Sequence, residues 1–252
     1  MSHYIITGTS RGIGEAIANK LLQAGNTLFC VSRKINEELV ERAVSSGTTI
    51  FYFEADLSDP KAVIEFSSQV WNRIIPENIE RIALINNAGM ISPIGPAGSN
   101  DSGKITEHIH VNLLAPMIIA SAFLQHTAGW KIPRTILNIS SGAASSPYYG
   151  WSAYCSSKAA IDMFTRTVAL EQSFSDYPAK IISFAPGIVE TAMQSEIRGT
   201  DKKDFRDHEK FVKLYEEGKL STPGFVAGHI VNALFDDSVV QGSVMDIWHL
   251  KE

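Results

Sequence analysis

Tyr4-Ile5-Ile6-Thr7-Gly8-Thr9-Ser10-Arg11-Gly12-Ile13-Gly14, running on into Glu15-Ala16-Ile17-Ala18-Asn19-Lys20-Leu21-Leu22, decides the fold of this chain. Its first three residues are apolar and read as a short buried strand. A turn follows with glycines in G-x-x-x-G-x-G spacing, and the apolar positions then recur with helical period. Gly8 permits the tight turn, Gly12 lets backbone approach a ligand, and Gly14 allows the helix to pack closely. Exposed N–H groups at the start of that helix favour a phosphate anion. A glycine triplet by itself marks only a turn. Set between a strand and a helix, it marks a nucleotide site, although the spacing departs from the commoner G-x-G-x-x-G.

Working outward, Thr27 to Ser32 is a second strand, and it ends in Ser32-Arg33-Lys34. A carboxylate at this point would hydrogen-bond a ribose 2′-hydroxyl, as NAD requires. With no acid here, and with Arg11 nearby in the glycine loop, the pattern suits a 2′-phosphate. The expected cofactor is therefore NADP(H); solvated basic residues after a strand are the plainer alternative. Ile35 to Ser46 reads as a helix, and Thr49 to Phe53 as a third strand followed by Asp56-Leu57-Ser58-Asp59-Pro60. Asp56 is a candidate partner for an adenine amino group, and Ser58 or Asp59 caps the helix that begins at Pro60. Ile82 to Ile85 is a fourth strand ending in Asn86-Asn87-Ala88-Gly89, small residues that suit close cofactor approach.

Ser102 to Ala128 is mostly helical, with Asn112 four residues before Pro116. Proline removes the hydrogen bond to the Asn112 carbonyl, and a carbonyl so released could bind water. His108 and His110 are two apart on this helix, so their side chains diverge; they are expected as surface or packing residues, with no metal site. Thr135 to Ile139 is a fifth strand. Lys180 to Ala185 is a sixth, ending in Pro186-Gly187-Ile188-Val189-Glu190-Thr191, where Thr191 and nearby backbone could hold a carboxamide. Residues 192–221 are charged, with weak periodicity, and are expected to form a substrate lid. A helix over Pro223 to Phe235 and a last strand over Ser243 to Trp248 complete the order.

The chemistry concentrates after the fifth strand. Ser141 sits at the strand end, and from Ala153 the spacing turns helical, so Tyr154 and Lys158 lie one turn apart on one face. A neighbouring ammonium is expected to lower the tyrosine pKa, making the phenol a general acid or base near neutral pH. Ser141 can hydrogen-bond the same substrate oxygen. Tyrosine and lysine four apart also occur by accident on amphipathic helices, so the surrounding motifs carry the weight.

Composition narrows the class. The chain has 252 residues, 44% of them hydrophobic and 19% charged, which suits one α/β domain over residues 1–252. A net charge of −5 without a basic cluster speaks against a nucleic-acid surface. No apolar run approaches the ~18 residues of a membrane span. Two cysteines, Cys30 and Cys155, give neither a disulfide framework nor metal spacing, and the N-terminal residues read directly into a strand without a leader. A cytoplasmic enzyme or binding protein is expected.

In order and rough spacing, the glycine loop, Asn86-Asn87-Ala88-Gly89, Asn112, Ser141, Tyr154-x-x-x-Lys158 and Pro186-Gly187 resemble the short-chain dehydrogenase/reductase family along the whole chain. The resemblance implies a single-domain Rossmann fold, a doubly wound and mostly parallel seven-stranded sheet with helices on both faces. It implies Tyr154 as proton donor, Lys158 on the nicotinamide ribose and lowering the tyrosine pKa, Ser141 orienting the carbonyl, and Asn112 holding a relay water. Cofactor contacts are expected from Ile6, Gly8, Ser10, Arg11, Gly12, Ile13 and Gly14, and from Ser32, Arg33, Asp56 and Leu57. Further contacts are expected from Asn87, Ala88, Gly89, Pro186, Gly187, Val189 and Thr191, beside Tyr154 and Lys158.

A narrower similarity runs through Pro147-Tyr148-x-Gly150-Trp151-x-x-Tyr154-Cys155 and Lys158-Ala159-Ala160-x-Asp162-Met163, which look like sepiapterin reductases and still more like bacterial benzil reductases. It implies NADPH-dependent reduction of an α-diketone to an (S)-hydroxyketone, with Ser141, Tyr148, Trp151 and Tyr154 at the substrate. A pterin reductase with Asp246 as anchor, or a sensor of NADP without turnover, are the alternatives. The family resemblance also implies a small-molecule carbonyl substrate and a homo-oligomer, dimer or tetramer, through the helices holding Asn112 and Tyr154. Tyr149 is expected beside Tyr148 and Trp151 in an aryl-tolerant pocket.

Overall fold

The structure, a computed structural model, describes residues 1–247; Trp248, the end of the last expected strand, lies outside them. The chain alternates strand and helix. β1 (Ser2–Thr7), α1 (Gly12–Lys20), β2 (Asn26–Ser32), α2 (Glu37–Ser45) and β3 (Thr49–Glu54) form the first half. α3 (Pro60–Trp71), β4 (Arg81–Asn86), α4 (Ser102–Ile109), a π turn (His110–Leu114), α5 (Ala115–His126), β5 (Arg134–Ile139), α6 (Ser152–Gln172) and β6 (Lys180–Ala185) follow. α7 (Ala192–Arg198), α8 (His208–Glu216), α9 (Pro223–Phe235) and β7 (Val244–Asp246) complete it.

The seven strands form one sheet in the order β3-β2-β1-β4-β5-β6-β7, and all six pairings are parallel. Alternate strand residues face opposite layers. Ile6, Ala83, Ile85, Leu137 and Ile182 pack under α1 and α9, against Ile17, Val226 and Ile230. Ile5, Leu84, Ile136 and Ile181 pack under α3, α5 and α6, against Phe66, Phe123 and Val168. Burial on both faces is why the strands read as continuous apolar runs. The strand order reverses between β1 and β4, which opens a crevice at their carboxyl ends, where doubly wound sheets bind ligands.

Local chemistry sets the helix starts. Asp59 caps α3, its carboxylate accepting the Lys61 N–H at 2.9 Å with Pro60 in the first turn, so Asp59 rather than Ser58 is the cap. Thr222 caps α9 in the same way ahead of Pro223.

Ser102–His126 runs as a continuous helical column of 25 residues, long and apolar enough by length and composition to cross a membrane, whereas the sequence showed no such run. The helix itself was expected over Ser102 to Ala128; polar residues between its apolar stretches keep any single apolar run short. Here it serves as a core helix: Ala115, Ile119, Ala120 and Phe123 are buried against the sheet. Residues 192–221, whose periodicity is weak, contain the two helices α7 and α8. These helices are short and each buries only one or two side chains, Gln194 and Ile197 in α7 and Phe211 in α8, so no repeating pattern builds up. A bridge between Val189 and Ser221 pinches the segment closed at its base.

Candidate active site

The ends of β1 and β4 are tied side chain to backbone. The Thr7 hydroxyl accepts the N–H groups of Asn87 and Ala88 at 3.0 and 2.9 Å. The Asn87 amide donates to the Thr7 and Gly8 carbonyls at 2.9 and 3.2 Å. Gly8 and Gly12 both have positive φ, +75° and +65°, and α1 approaches so closely that a Cβ on Gly14 would lie 2.2 Å from the Gly8 carbonyl oxygen. Gly14 is therefore a packing residue and does not line the cleft. Ile6, expected at the cofactor, is wholly buried in the sheet layer instead, because its side chain points down from the strand.

A cavity of about 550 Å³ follows the crevice, from Arg33 and Asp56 at one end to Tyr148 and Phe211 at the other. Ser10, Arg11, Gly12 and Ile13 line it, with Leu57, Asn87, Ala88 and Gly89, then Pro186, Gly187, Val189 and Thr191. No side chain caps the first turn of α1, so its N–H groups are left for an anion, as a pyrophosphate would require. Arg11 and Arg33 are exposed beside the cavity and neither is ion-paired among the described residues. Ser32 lines the cavity, but its hydroxyl is engaged: it donates to the Lys34 carbonyl at 2.7 Å and meets Tyr52 Oη at 2.6 Å. Tyr52 in turn accepts from Thr9 at 3.0 Å, so Ser32 shapes the turn that presents Arg33. A dinucleotide fits this cleft in length, polarity and anion-binding ends.

Toward the middle of the cavity lie Ser141, Tyr154 and Lys158. Ser141 stands just past β5, where its Oγ accepts the Ala143 N–H at 3.2 Å. Lys158 is buried; its Nζ donates to the Ile139 carbonyl at 2.7 Å and lies 5.8 Å from the Tyr154 ring centre. Burial brings the ammonium down to about 8, with the Asp162 carboxylate opposing. The expected lowering of Tyr154 is not found. Burial pushes its phenol up, and the hydrogen bond from Ser141 pulls the other way. Loss of water around the buried phenol disfavours the phenolate and is the largest influence on it. A raised pKa keeps Tyr154 protonated, the state in which it donates a proton.

Asn112 does not line the cavity. It is 1% exposed in the π turn, behind the wall formed by residues 89–92. Its Oδ1 accepts the Met90 N–H and its Nδ2 donates to the Met90 carbonyl, both at 2.8 Å. The H-x-H pair diverges as expected, but neither ring is idle. His110 bonds the Ser58 carbonyl at 2.8 Å, whereas His108 is fully buried beside Asn112.

The far end of the cavity is aromatic. Tyr148 and Trp151 line it, and Asp246 lines the same cavity. Tyr149 does not: it is 41% exposed and covered by the Arg206 guanidinium, 4.6 Å from its ring centre, because the chain turns outward before Gly150. Its place is taken by residues the sequence did not single out. Phe211 lines the cavity together with Ile91, Met193 and Ile197. Phe205 stacks on Trp151 at 4.6 Å between centres. The F-x-x-x-x-x-F spacing of Phe205 and Phe211 in an otherwise charged segment was the available signal.

Comparison with known proteins accords with this geometry. Residues 2–202 match the short chain dehydrogenase family, and the chain belongs to it. It is an oxidoreductase acting on CH–OH/C=O groups. It is similar to a benzil reductase ((S)-benzoin forming) of Bacillus cereus, 43% identical over 98% of this chain and 99% of that protein. It is also similar to the sepiapterin reductase of Rattus norvegicus, 30% identical over 98% of this chain and 96% of that one. Among solved structures, the KRED1-Pglu enzyme superposes with a TM-score of 0.83 at 26% identity, covering 97% of this chain and all of that one.

Two outcomes follow from the site. Tyr154→Phe should lower turnover by roughly 10²–10⁴-fold while cofactor binding, followed by fluorescence, stays intact. Lys158 carries its charge below about 8 and loses it as the pH rises through that value. Turnover should accordingly decline above about 8, and the residual activity of Lys158→Ala should lack that limb in a pH–rate profile.

Proposed function

We propose that this protein is an NADPH-dependent reductase that reduces one carbonyl of an α-diketone such as benzil and stops at the (S)-hydroxyketone. The observation that carries the reading is the aromatic and apolar wall of Tyr148, Trp151, Phe211 and Ile91 lining the same cavity as Ser141 and Tyr154. A flat aryl group is complementary to such a wall. The name of the Bacillus cereus relative points the same way.

When bound, NADPH supplies the hydride. Tyr154 gives its proton to the carbonyl oxygen, Ser141 hydrogen-bonds the same oxygen and orients it, and Lys158 holds positive charge beneath them. The second carbonyl of a diketone withdraws electrons and activates the first. After one reduction that activation is gone, so the hydroxyketone accumulates. Arg11 and Arg33, with no carboxylate at the end of β2, support NADPH over NADH.

A second reading, reduction of a pterin, is favoured by Asp246, which lines the cavity at the end of β7 where a carboxylate can pair with ring N–H groups. A homo-oligomer is supported by the exposed apolar residues Met163 and Leu170 on α6 and Phe174 just beyond it, the last 85% exposed. Free thiols at Cys30 and Cys155 suit a reducing, cytoplasmic setting.

Arg33→Ala should narrow a preference for NADPH over NADH in kcat/KM; equal efficiency of the unmodified enzyme with both cofactors would overturn the assignment. With benzil, chiral chromatography should find (S)-benzoin in excess and little diol. A racemate or no consumption of benzil counts against the diketone reading, and loss of pterin turnover alone in Asp246→Ala would favour the second.

A further inference from the structure

Besides Tyr154 and Lys158, the catalytic end holds another buried titratable group, which the steps above do not use. His108 lies on α4, fully buried, and its ring nitrogens have different partners. Nδ1 is 2.8 Å from the Ser92 carbonyl oxygen. A carbonyl only accepts, so Nδ1 carries the proton. Nε2 is then a bare acceptor, 3.0 Å from Asn112 Nδ2 and 3.0 Å from Ser157 Oγ. The Ser157 hydroxyl has its own acceptor, the Tyr154 carbonyl at 2.9 Å, which leaves Nε2 to the Asn112 amide. Both N–H groups of that amide are then used, one on Met90 and one on His108, and a flipped amide would set its oxygen against two acceptors.

We infer that His108 is a positioning residue, a neutral Nδ1–H imidazole that locks the Asn112 amide and links the loop after β4 to the π turn, beside the helix carrying Tyr154 and Lys158. This rests on the reading of Tyr154 as proton donor. The His108 ring meets the Tyr154 ring edge-on at 6.1 Å between centres, so movement of one is felt by the other. A Cβ added at Gly89 would lie 3.5 Å from Asn112 Oδ1 and 3.8 Å from Lys158 Nζ, so the amide and the ammonium flank the same backbone segment after β4. π turns recur where a helix must set a functional side chain off the regular spacing, and here one, His110–Leu114, holds Asn112 and begins two residues after His108. With its tautomer fixed on one side by Ser92, the imidazole orients Asn112 on the other.

The test is steady-state kinetics of His108→Phe, which keeps the ring and removes both nitrogens, and of His108→Gln, which keeps an acceptor toward Asn112. Tyr154→Phe is measured alongside. His108→Phe should lose roughly 10- to 100-fold in kcat, as expected when a buried amide loses its partner. Its dissociation constant for NADPH should stay within about threefold of the parent. His108→Gln should recover most of the loss. Independently of activity, ¹⁵N-labelled histidine spectra at neutral pH should show one neutral imidazole protonated at Nδ1 that disappears in His108→Phe. If His108→Phe keeps near-normal kcat while Tyr154→Phe does not, the positioning role falls and the proton donor stands. If both turn over, the reading of the site falls with it. Equal loss of kcat, NADPH binding and melting temperature in both His108 variants would reduce His108 to a packing residue, and an Nε2–H tautomer would overturn the arrangement directly.

Discussion

Hydrogen bonds between Thr7 and Asn87 hold the point on which the rest of the structure depends. They join the carboxyl ends of β1 and β4, where the strand order reverses and the covering helices leave on opposite faces. A crevice opens there because neighbouring connections run to different layers of the sheet. Its floor is kept shallow by Gly14 against the Gly8 carbonyl, which leaves the uncapped first turn of α1 aimed along the cleft. Loss of this join would cost the cleft its geometry before it cost the sheet its stability, since the two apolar layers lie away from it.

Burial governs the catalytic end. The same desolvation that pushes the Tyr154 phenol up brings the Lys158 ammonium down, so the two groups meet near neutral pH as a protonated phenol and a weakly held cation. Such a pair suits the delivery of a proton in the reducing direction. It also makes position matter, because polar groups out of water have few ways to recover a lost partner. Lys158 is fixed on the Ile139 carbonyl, Asn112 on Met90 and His108, and the Tyr154 turn of α6 on Ser157. Polar groups from segments far apart in sequence are thereby each held by a specific partner.

The substrate end is built otherwise, by ring contacts. Trp151 packs against Tyr148, Tyr154, Phe205 and Phe211, with centres 4.6 to 5.5 Å apart. Two of these rings come from residues 192–221, so the pocket's shape depends on how that segment docks. An Arg198–Glu190 ion pair at 2.9 Å and the Arg198 guanidinium 3.9 Å from the Tyr215 ring centre brace that segment from outside. Partial exposure makes the ion pair a modest contributor, and apolar contact with Trp151 carries more of the docking.

Local pattern was enough for the order of strands and helices, for the glycine loop, and for the i, i+4 placement of Tyr154 and Lys158, because each rests on periodicity or on a turn within a few residues. It was enough as well for Arg11 and Arg33 at one end of the cleft, where chain order along a parallel sheet dictates what lies at each strand's carboxyl end. What it left open depends on contacts between distant segments. Ile5 and Ile6 occupy opposite faces of β1 and each falls in a buried apolar layer, so Ile6 packs in the core instead of lining the cleft. Tyr149 and Phe211 exchange places because a turn sends one ring outward while α8 brings the other in. His108 was expected as a surface or packing residue because the Ser92 carbonyl that fixes its tautomer lies 16 residues away. The sign of the Tyr154 shift followed the same rule: a neighbouring charge can be read from spacing, but the loss of water that outweighs it belongs to the folded interior alone.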